Sequence, residues 1–197
     1  GLIYKMYMSD VPFYLVQWTK SFLKNRTFQV SINDYLSPPN TIYTGVPQGA
    51  VVSPILFSIF INDIPQRDKT NVSFSNLYAD DLVTCFIYKK NGGLEAQINK
   101  YLREMEGWLF KWRMKISAQK CYYTVFSKDN KFYDSMTFSL KLNGGVIPRS
   151  VNPTFLGITF DRGIDFKTHL ADIYKRAFKR VNIIKILSHK SWKLNTS

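Results

Sequence analysis

Residues 74–88 read FSNLYADDLVTCFIY, and the acids Asp80 and Asp81 stand at the centre of this stretch. Apolar residues flank the pair on both sides, a pattern that predicts two short strands folded back on each other. The two carboxylates would then lie at the tip of a β-hairpin. Because adjacent carboxylates repel, a rigid tip carrying both is a candidate site for a hard divalent cation. An ordinary solvated turn is the alternative, since aspartate is common in turns.

A second motif stands upstream, where residues 45–49 read GVPQG and the apolar run ILFSIFI follows. The glycines would let the backbone approach a ligand closely, and Gln48 offers both a donor and an acceptor. Ser53 as N-cap and Pro54 in the first turn predict a helix that is apolar nearly all round, and we expect it to be buried beneath a sheet. Taken alone, GVPQG also fits an ordinary strand-to-helix connection.

The composition indicates a folded domain with an anionic partner. The chain has 197 residues, 45% apolar and 16% aromatic, and a formal net charge of +13, which favours nucleic acid. More than half of this charge lies in residues 167–197, where Asp172 is the only acid. A membrane partner is disfavoured, because no apolar run approaches the roughly twenty residues of a membrane helix. No secretory signal is visible, so Cys85 and Cys121 are predicted to be reduced thiols of an intracellular protein.

The remaining pattern predicts an α+β fold, with an antiparallel sheet covered by helices on one face. Apolar spacing predicts helices over residues 9–25, 94–112 and 166–187. Strands are predicted over residues 28–32, 41–46, 122–126, 137–142, 146–147 and 154–160. Residues 122–126 are expected to pair with the hairpin that carries the two acids.

GVPQG and YADD resemble the template-positioning and catalytic-metal motifs of reverse transcriptases. The wording TGVPQGAVVSPILFSIFINDIP over residues 44–65 resembles most closely the enzymes of non-LTR (LINE, jockey-type) retrotransposons. The resemblance implies an RNA-directed DNA polymerase with residues 1–165 in its right-hand palm and residues 166–197 at the start of its thumb. It also implies Mg²⁺ or Mn²⁺ at the acid pair, an RNA template, a DNA primer and deoxynucleoside triphosphates as partners, and a nuclear place of action.

The resemblance assigns roles to individual residues as well. Asp80 and Asp81 match the metal ligands. Lys120 matches a lysine that acts as general acid towards the departing pyrophosphate, and a solvated lysine at a strand start is the open alternative. The remaining matched positions would contact template, primer or nucleotide: Gly45, Pro47, Gln48, Gly49, Tyr78, Ala79, Leu156, Gly157, Lys175, Arg176, Lys179 and Arg180.

A third acid is expected in this family just before the helix that begins near Ser9, in a pattern of aspartate followed by Ala-Phe-Asp. The sequence does not contain that pattern, and no part of it matches the fingers of the polymerase. We therefore expect part of a polymerase that is inactive on its own, because two adjacent carboxylates are a poor cage for two ions. A basic nucleic-acid-binding module without catalysis is the alternative hypothesis.

Overall fold

A computed structural model describes residues 1–66, 73–90 and 93–188. Within these ranges the chain is a mixture of helices and small antiparallel sheets, as the predicted α+β class requires. It divides into two compact units: residues 1–87 with 110–113, and residues 88–109 with 114–197. No helix in the described ranges is long and apolar enough to cross a lipid bilayer.

Three helices build the core of the first unit. Helices α1 (Leu2–Met8), α2 (Phe13–Phe22) and α3 (Ser53–Ile61) bury Met6, Val16 and Leu56 against one another. The sequence did not predict α1. The helix predicted over residues 9–25 is shorter than expected, because Pro12 is the N-cap of α2 and proline has no N–H to continue a helix upstream.

Helix α3 differs from its prediction in two respects. Val52 is its N-cap and Ser53 is its first residue, with a hydroxyl that bonds elsewhere than to the helix end. The helix buries Ser53, Leu56 and Ile61, whereas Ile55 is 61% exposed. The apolar sequence of α3 therefore led us to expect more burial of this helix than the described chain shows.

A charged side chain lies inside the first unit. The Lys5 side chain is 6% exposed and donates to the Phe60 carbonyl and the Asp63 carboxylate. Its ammonium also lies 3.8 Å from a ring centroid of Trp112 and 4.5 Å from that of Phe60. Lys5 thus links α1 to the end of α3 by an ion pair and by cation–π contacts.

The strands of the first unit form three antiparallel pairs. Strand β1 (Arg26–Phe28) pairs with β4 (Asn40–Ile42), and between them β2 (Ser31–Ile32) pairs with β3 (Tyr35–Leu36). Strand β5 (Ser73–Tyr78) pairs with β6 (Asp81–Phe86) in six residue pairs, which confirms the predicted hairpin.

The second unit combines helix α4 (Leu94–Trp112, whose last turn belongs to the first unit), a 3-10 helix at Ala118–Lys120, α5 (Asn130–Ser135) and α6 (Lys167–Leu187). Two small hairpins accompany them: β7 (Lys141–Leu142) with β8 (Gly145–Val146), and β9 (Thr154–Phe155) with β10 (Ile158–Thr159). Leu140, Leu142 and Ile147 form one buried cluster, with Ile98 and Leu102 of α4 packed against it.

Two strand predictions in this unit were wrong. Residues 122–126 do not form a strand; among them Tyr123 forms an isolated parallel bridge with Arg149. Residues 154–160 are not one strand but a tight hairpin that turns at Leu156 and Gly157. The described strands pair only in twos, rather than in one larger sheet.

Candidate active site and nucleic-acid interface

The acid pair lies at a two-residue hairpin tip. Tyr78 and Asp81 are the last pair of the β5–β6 ladder, so Ala79 and Asp80 form the turn. Ala79 has a φ of 50°, in the left-handed region, and primed two-residue turns need a positive φ because their twist matches that of the strands. The backbone of the hairpin therefore fixes the positions of both acids.

Both carboxylates are open to solvent. Asp80 and Asp81 are exposed, and neither side chain forms a hydrogen bond or ion pair with another residue in the described part of the chain. Adjacent carboxylate oxygens that have no competing partner suit a Mg²⁺ or Mn²⁺ ion, which keeps several waters when one or two carboxylates bind it. Residues 1–66, 73–90 and 93–188 contain no cluster of three or more His, Cys, Asp or Glu side chains suited to a metal. The tip thus offers two exposed carboxylates from neighbouring residues.

The GVPQG loop is held from both sides. A guanidinium nitrogen of Arg26 donates to the carbonyl oxygens of Gly45 at 2.6 Å and Thr44 at 3.3 Å. At the other end, the buried hydroxyl of Ser53 donates to the Pro47 carbonyl at 2.5 Å. Strand β1 and helix α3 therefore pin the backbone of the loop through side chains.

Between its anchors, the loop presents its surface to solvent. Gly45 and Gly49 have φ values of 77° and 83°, and a Cβ built on either would meet no atom within 4 Å. The glycines are required for their backbone conformation, which side chains adopt only with strain. Gln48 is exposed between them, so its amide is accessible to a ligand.

A cavity of about 340 Å³ lies in the second unit where α6 meets the β9–β10 hairpin. Polar residues of the hairpin and basic residues of the helix line it: Thr154, Gly157, Thr159, His169, Asp172, Lys175, Arg176 and Lys179. Three cations and one carboxylate give the cavity a net positive charge. Such a cavity suits an anionic group such as a phosphate.

One known protein family matches most of this chain. The model of the family described as reverse transcriptase (RNA-dependent DNA polymerase) matches residues 2–160. The chain belongs to the reverse transcriptase family. The resemblance inferred from GVPQG and YADD is thereby confirmed.

The relatives of this reverse transcriptase chain include proteins of mobile elements. It is 34% identical over 186 residues to the RNA-directed DNA polymerase from mobile element jockey of Drosophila melanogaster, covering 91% of this chain and 19% of that protein. It is 30% identical over 200 residues to the probable RNA-directed DNA polymerase from transposon BS of the same species, covering 97% of this chain and 21% of that protein. The chain thus spans about a fifth of these curated relatives. No solved structure matches it.

The predicted site residues fall into separate groups within this reverse transcriptase chain. Tyr78 and Ala79 stand beside the acid pair at the tip, and Gly45, Pro47, Gln48 and Gly49 share the pinned loop. Gly157, Lys175, Arg176 and Lys179 meet at the cavity, whereas Leu156 and Arg180 do not line it. Lys120 is exposed at the end of the 3-10 helix in the second unit.

Three residues that support these groups were not predicted as site residues. Arg26 pins the GVPQG loop by donating to the Gly45 carbonyl. His169 accepts a hydrogen bond from the Thr159 backbone, and Asp161 binds the start of α6. The signal for Asp161 was available, because an acid shortly before a helix is a capping candidate. The roles of Arg26 and His169 depend on tertiary contacts that sequence spacing does not contain.

The Asp161 carboxylate is an electrostatic anchor for α6. One of its oxygens accepts from the Asp165 N–H at 2.7 Å and the other from the Lys167 N–H at 2.8 Å. Desolvation by itself raises the pKa of Asp161, but hydrogen bonds from the backbone N–H groups of residues 165–168 outweigh it and lower the pKa below the usual value. The ionised form is therefore the one that the helix start stabilises.

Proposed function

We propose that this chain forms a catalytic palm segment, residues 1–165, and the start of a thumb, residues 166–197, of an RNA-directed DNA polymerase of a non-LTR retrotransposon. The full protein would extend a DNA primer with deoxynucleoside triphosphates on an RNA template. Membership of the reverse transcriptase family supports the proposal, as do the relatives from mobile elements. Action in the nucleus stays a prediction from that resemblance.

The position of Asp80 and Asp81 at the hairpin tip is the observation that carries the proposal. Six paired residues on each strand hold the tip, and both carboxylates are exposed and without protein partners among the described residues. We propose that they hold Mg²⁺ or Mn²⁺. A bound ion would neutralise the charge that develops on the transferred phosphoryl group.

The other groups take roles that suit their chemistry. Gln48, presented on a loop pinned by Arg26 and Ser53, would support the template, and Tyr78 and Ala79 would lie beside the primer end. Lys120 would supply a proton to the leaving pyrophosphate, for which an exposed ammonium is a suitable donor. The basic cavity would hold a backbone phosphate of the primer–template duplex.

Manganese binding by the purified chain tests the proposed metal site without any need for catalysis. Titration with Mn²⁺, followed by the electron paramagnetic resonance signal of the free ion, should detect a site that Asp80→Asn with Asp81→Asn removes. Asp34→Asn is the matched control, because Asp34 is also an exposed acid in the two-residue turn of a hairpin, that of β2 and β3. Equal Mn²⁺ binding by the wild type and the double variant would overturn the proposed metal site.

We further propose that the chain alone does not polymerise DNA. Two neighbouring carboxylates point from nearly one place, whereas two-metal phosphoryl transfer needs ligands on both ions. A primer-extension assay on an RNA template with Mg²⁺ or Mn²⁺ should therefore give no product with the purified chain. Template-dependent synthesis by the chain would contradict this proposal and support a complete active site.

Nucleic-acid binding without catalysis is the second candidate function, which the basic cavity at α6 favours. A binder should retain its affinity in the double variant Asp80→Asn with Asp81→Asn, and that affinity should fall steeply with salt because bound cations release counterions from the backbone. Lys175→Gln with Lys179→Gln should reduce both the affinity and the salt slope. Fluorescence anisotropy with a labelled RNA–DNA hybrid measures both quantities.

A further inference from the structure

The β9–β10 hairpin leaves one backbone donor on its outer edge. Phe155 and Ile158 are the pair that closes the two-residue turn, and Thr154 and Thr159 are the next pair. The following pair is bonded again, since the Phe160 N–H donates to the Pro153 carbonyl at 2.8 Å. Bonded and non-bonded pairs alternate in an antiparallel ladder. The Thr159 N–H therefore points away from β9.

Helix α6 supplies the acceptor for this outward N–H. The Thr159 N–H donates to Nδ1 of His169 over 3.3 Å, and this contact is partly buried. An Nδ1 that accepts this bond carries no proton itself, so the contact depends on Nδ1 and not on Nε2. The same bond joins the edge of the hairpin to the first turn of the helix.

His169 also shares a helix face with cations of the cavity. Arg176 follows it at an interval of seven residues, close to two helical turns, and Lys179 lies nearly one further turn beyond Arg176. Across the cavity, the hairpin contributes Gly157 and Thr159. The contact at His169 thus joins the hairpin that carries Gly157 to the helix that carries the cations.

We propose that His169 is a positioning residue for nucleic-acid binding at this cavity. By accepting the edge N–H of Thr159, it holds the β9–β10 hairpin against α6, so that the turn and the basic side chains contact one stretch of nucleic-acid backbone together. The inference rests on the proposed nucleic-acid role of the cavity. The alternative role of His169 as a simple surface residue predicts no coupling to the cations.

Two substitutions of similar size show which ring nitrogen of His169 the contact with Thr159 requires. The amide oxygen of His169→Asn can take the place of Nδ1 and accept from Thr159, whereas that of His169→Gln lies nearer the position of Nε2. We expect His169→Asn to bind a labelled RNA–DNA hybrid like the wild type. We expect His169→Gln to bind it about threefold to tenfold more weakly, the range that one neutral hydrogen bond supplies.

Hydrogen exchange measures directly whether the hydrogen bond from the Thr159 N–H to His169 is present. The Thr159 amide should be protected in the wild type and in His169→Asn, and should exchange faster in His169→Gln, while far-ultraviolet circular dichroism confirms that all three proteins are folded. Equal protection of Thr159 in both variants would overturn the inference. This readout is independent of nucleic acid.

A double-mutant cycle tests whether His169 acts through the cations. If it positions them, the effect of His169→Gln on affinity should be much smaller in an Arg176→Gln, Lys179→Gln background. Additive effects in that background would overturn the positioning role while leaving the proposed function intact. Failure of the wild type to bind the hybrid would overturn the proposed nucleic-acid function, and with it this inference.

Discussion

Two glycine-to-alanine substitutions, Gly157→Ala and Gly107→Ala, should shift the stability of the second unit in opposite directions. Gly157 has a φ of 79° at the β9–β10 turn, and a Cβ built there meets no atom within 4 Å, so Gly157→Ala costs only the left-handed backbone penalty of about 1–2 kcal/mol. Reduced freedom of the unfolded chain offsets roughly 0.4–1 kcal/mol of this. Exposed Gly107 lies inside α4, also without atoms near its added Cβ, and Gly107→Ala should stabilise by about 0.8–1 kcal/mol.

The two variants should therefore differ by about 2 kcal/mol in the free energy of unfolding, with the wild type between them. In a chain of this size such a gap corresponds to a Tm difference of about 4–8 °C. Thermal unfolding followed by circular dichroism, with urea unfolding as a second measurement, checks the sign and the size. A shift of both variants in the same direction would refute the assignment of the cost at Gly157 to backbone conformation.

Three other substitutions test contacts that hold the fold around the site. Asp63→Asn should lower the free energy of unfolding by about 1–2 kcal/mol, because the buried Lys5 ammonium then donates to a neutral amide oxygen instead of a carboxylate. The half-exposed position of Asp63 limits the effect. An unchanged urea midpoint would contradict this prediction. Arg26→Lys should speed amide exchange in residues 44–49, because one ammonium cannot replace both Nε, which donates to the Leu23 carbonyl, and the terminal nitrogen, which donates to the Gly45 carbonyl; unchanged exchange would argue against pinning. Asp161 has a lowered pKa, so its carboxylate stabilises the fold above the unfolded pKa of about 3.9 and loses that contribution as pH falls through the folded value. The Tm values of the wild type and Asp161→Asn should thus differ near neutral pH and converge in acid, and a gap independent of pH would contradict this assignment.

The elements with strong local signals were predictable from the sequence. The alternation around Asp80 and Asp81 gave the β5–β6 hairpin, and apolar spacing gave α4 and α6 nearly to their ends. The β7–β8 hairpin lies largely within the strands predicted over residues 137–142 and 146–147. Asn143 and Gly144 take the positive φ values that its two-residue turn needs. These features depend on residues that are close together in the sequence, and a sequence pattern contains that information.

The wrong or missing predictions concern elements whose conformation depends on tertiary contacts. Helix α1 is too short to be stable alone, and its place depends on Met6 packing with α2 and α3 and on Lys5 bonding at the end of α3. Residues 122–126 have strand-forming side chains, but their pairing was set by a bridge to Arg149 that no local pattern indicated. Leu156 adopts a φ of 49°, a conformation that leucine rarely takes, so the turn within residues 154–160 could not be read from residue preference.

In the candidate site too, the contiguous motifs were predictable from the sequence and the tertiary contacts were not. Chemistry-bearing motifs such as GVPQG and YADD were recognisable, because their residues are contiguous. The supports of these motifs come from distant segments: Arg26 reaches the GVPQG loop across residues 27–43, and His169 reaches Thr159 from the next helix. Which side chains hold a site in place therefore required the structure.

The half-buried cysteines have a practical consequence for spectroscopy. Burial raises the pKa of the Cys85 and Cys121 thiols, so little of either is thiolate at neutral pH, and the thiolate is the form that maleimides attack. A cysteine added on an open surface should react well before either native thiol. Dyes or spin labels could thus be attached at one chosen position without first replacing Cys85 and Cys121.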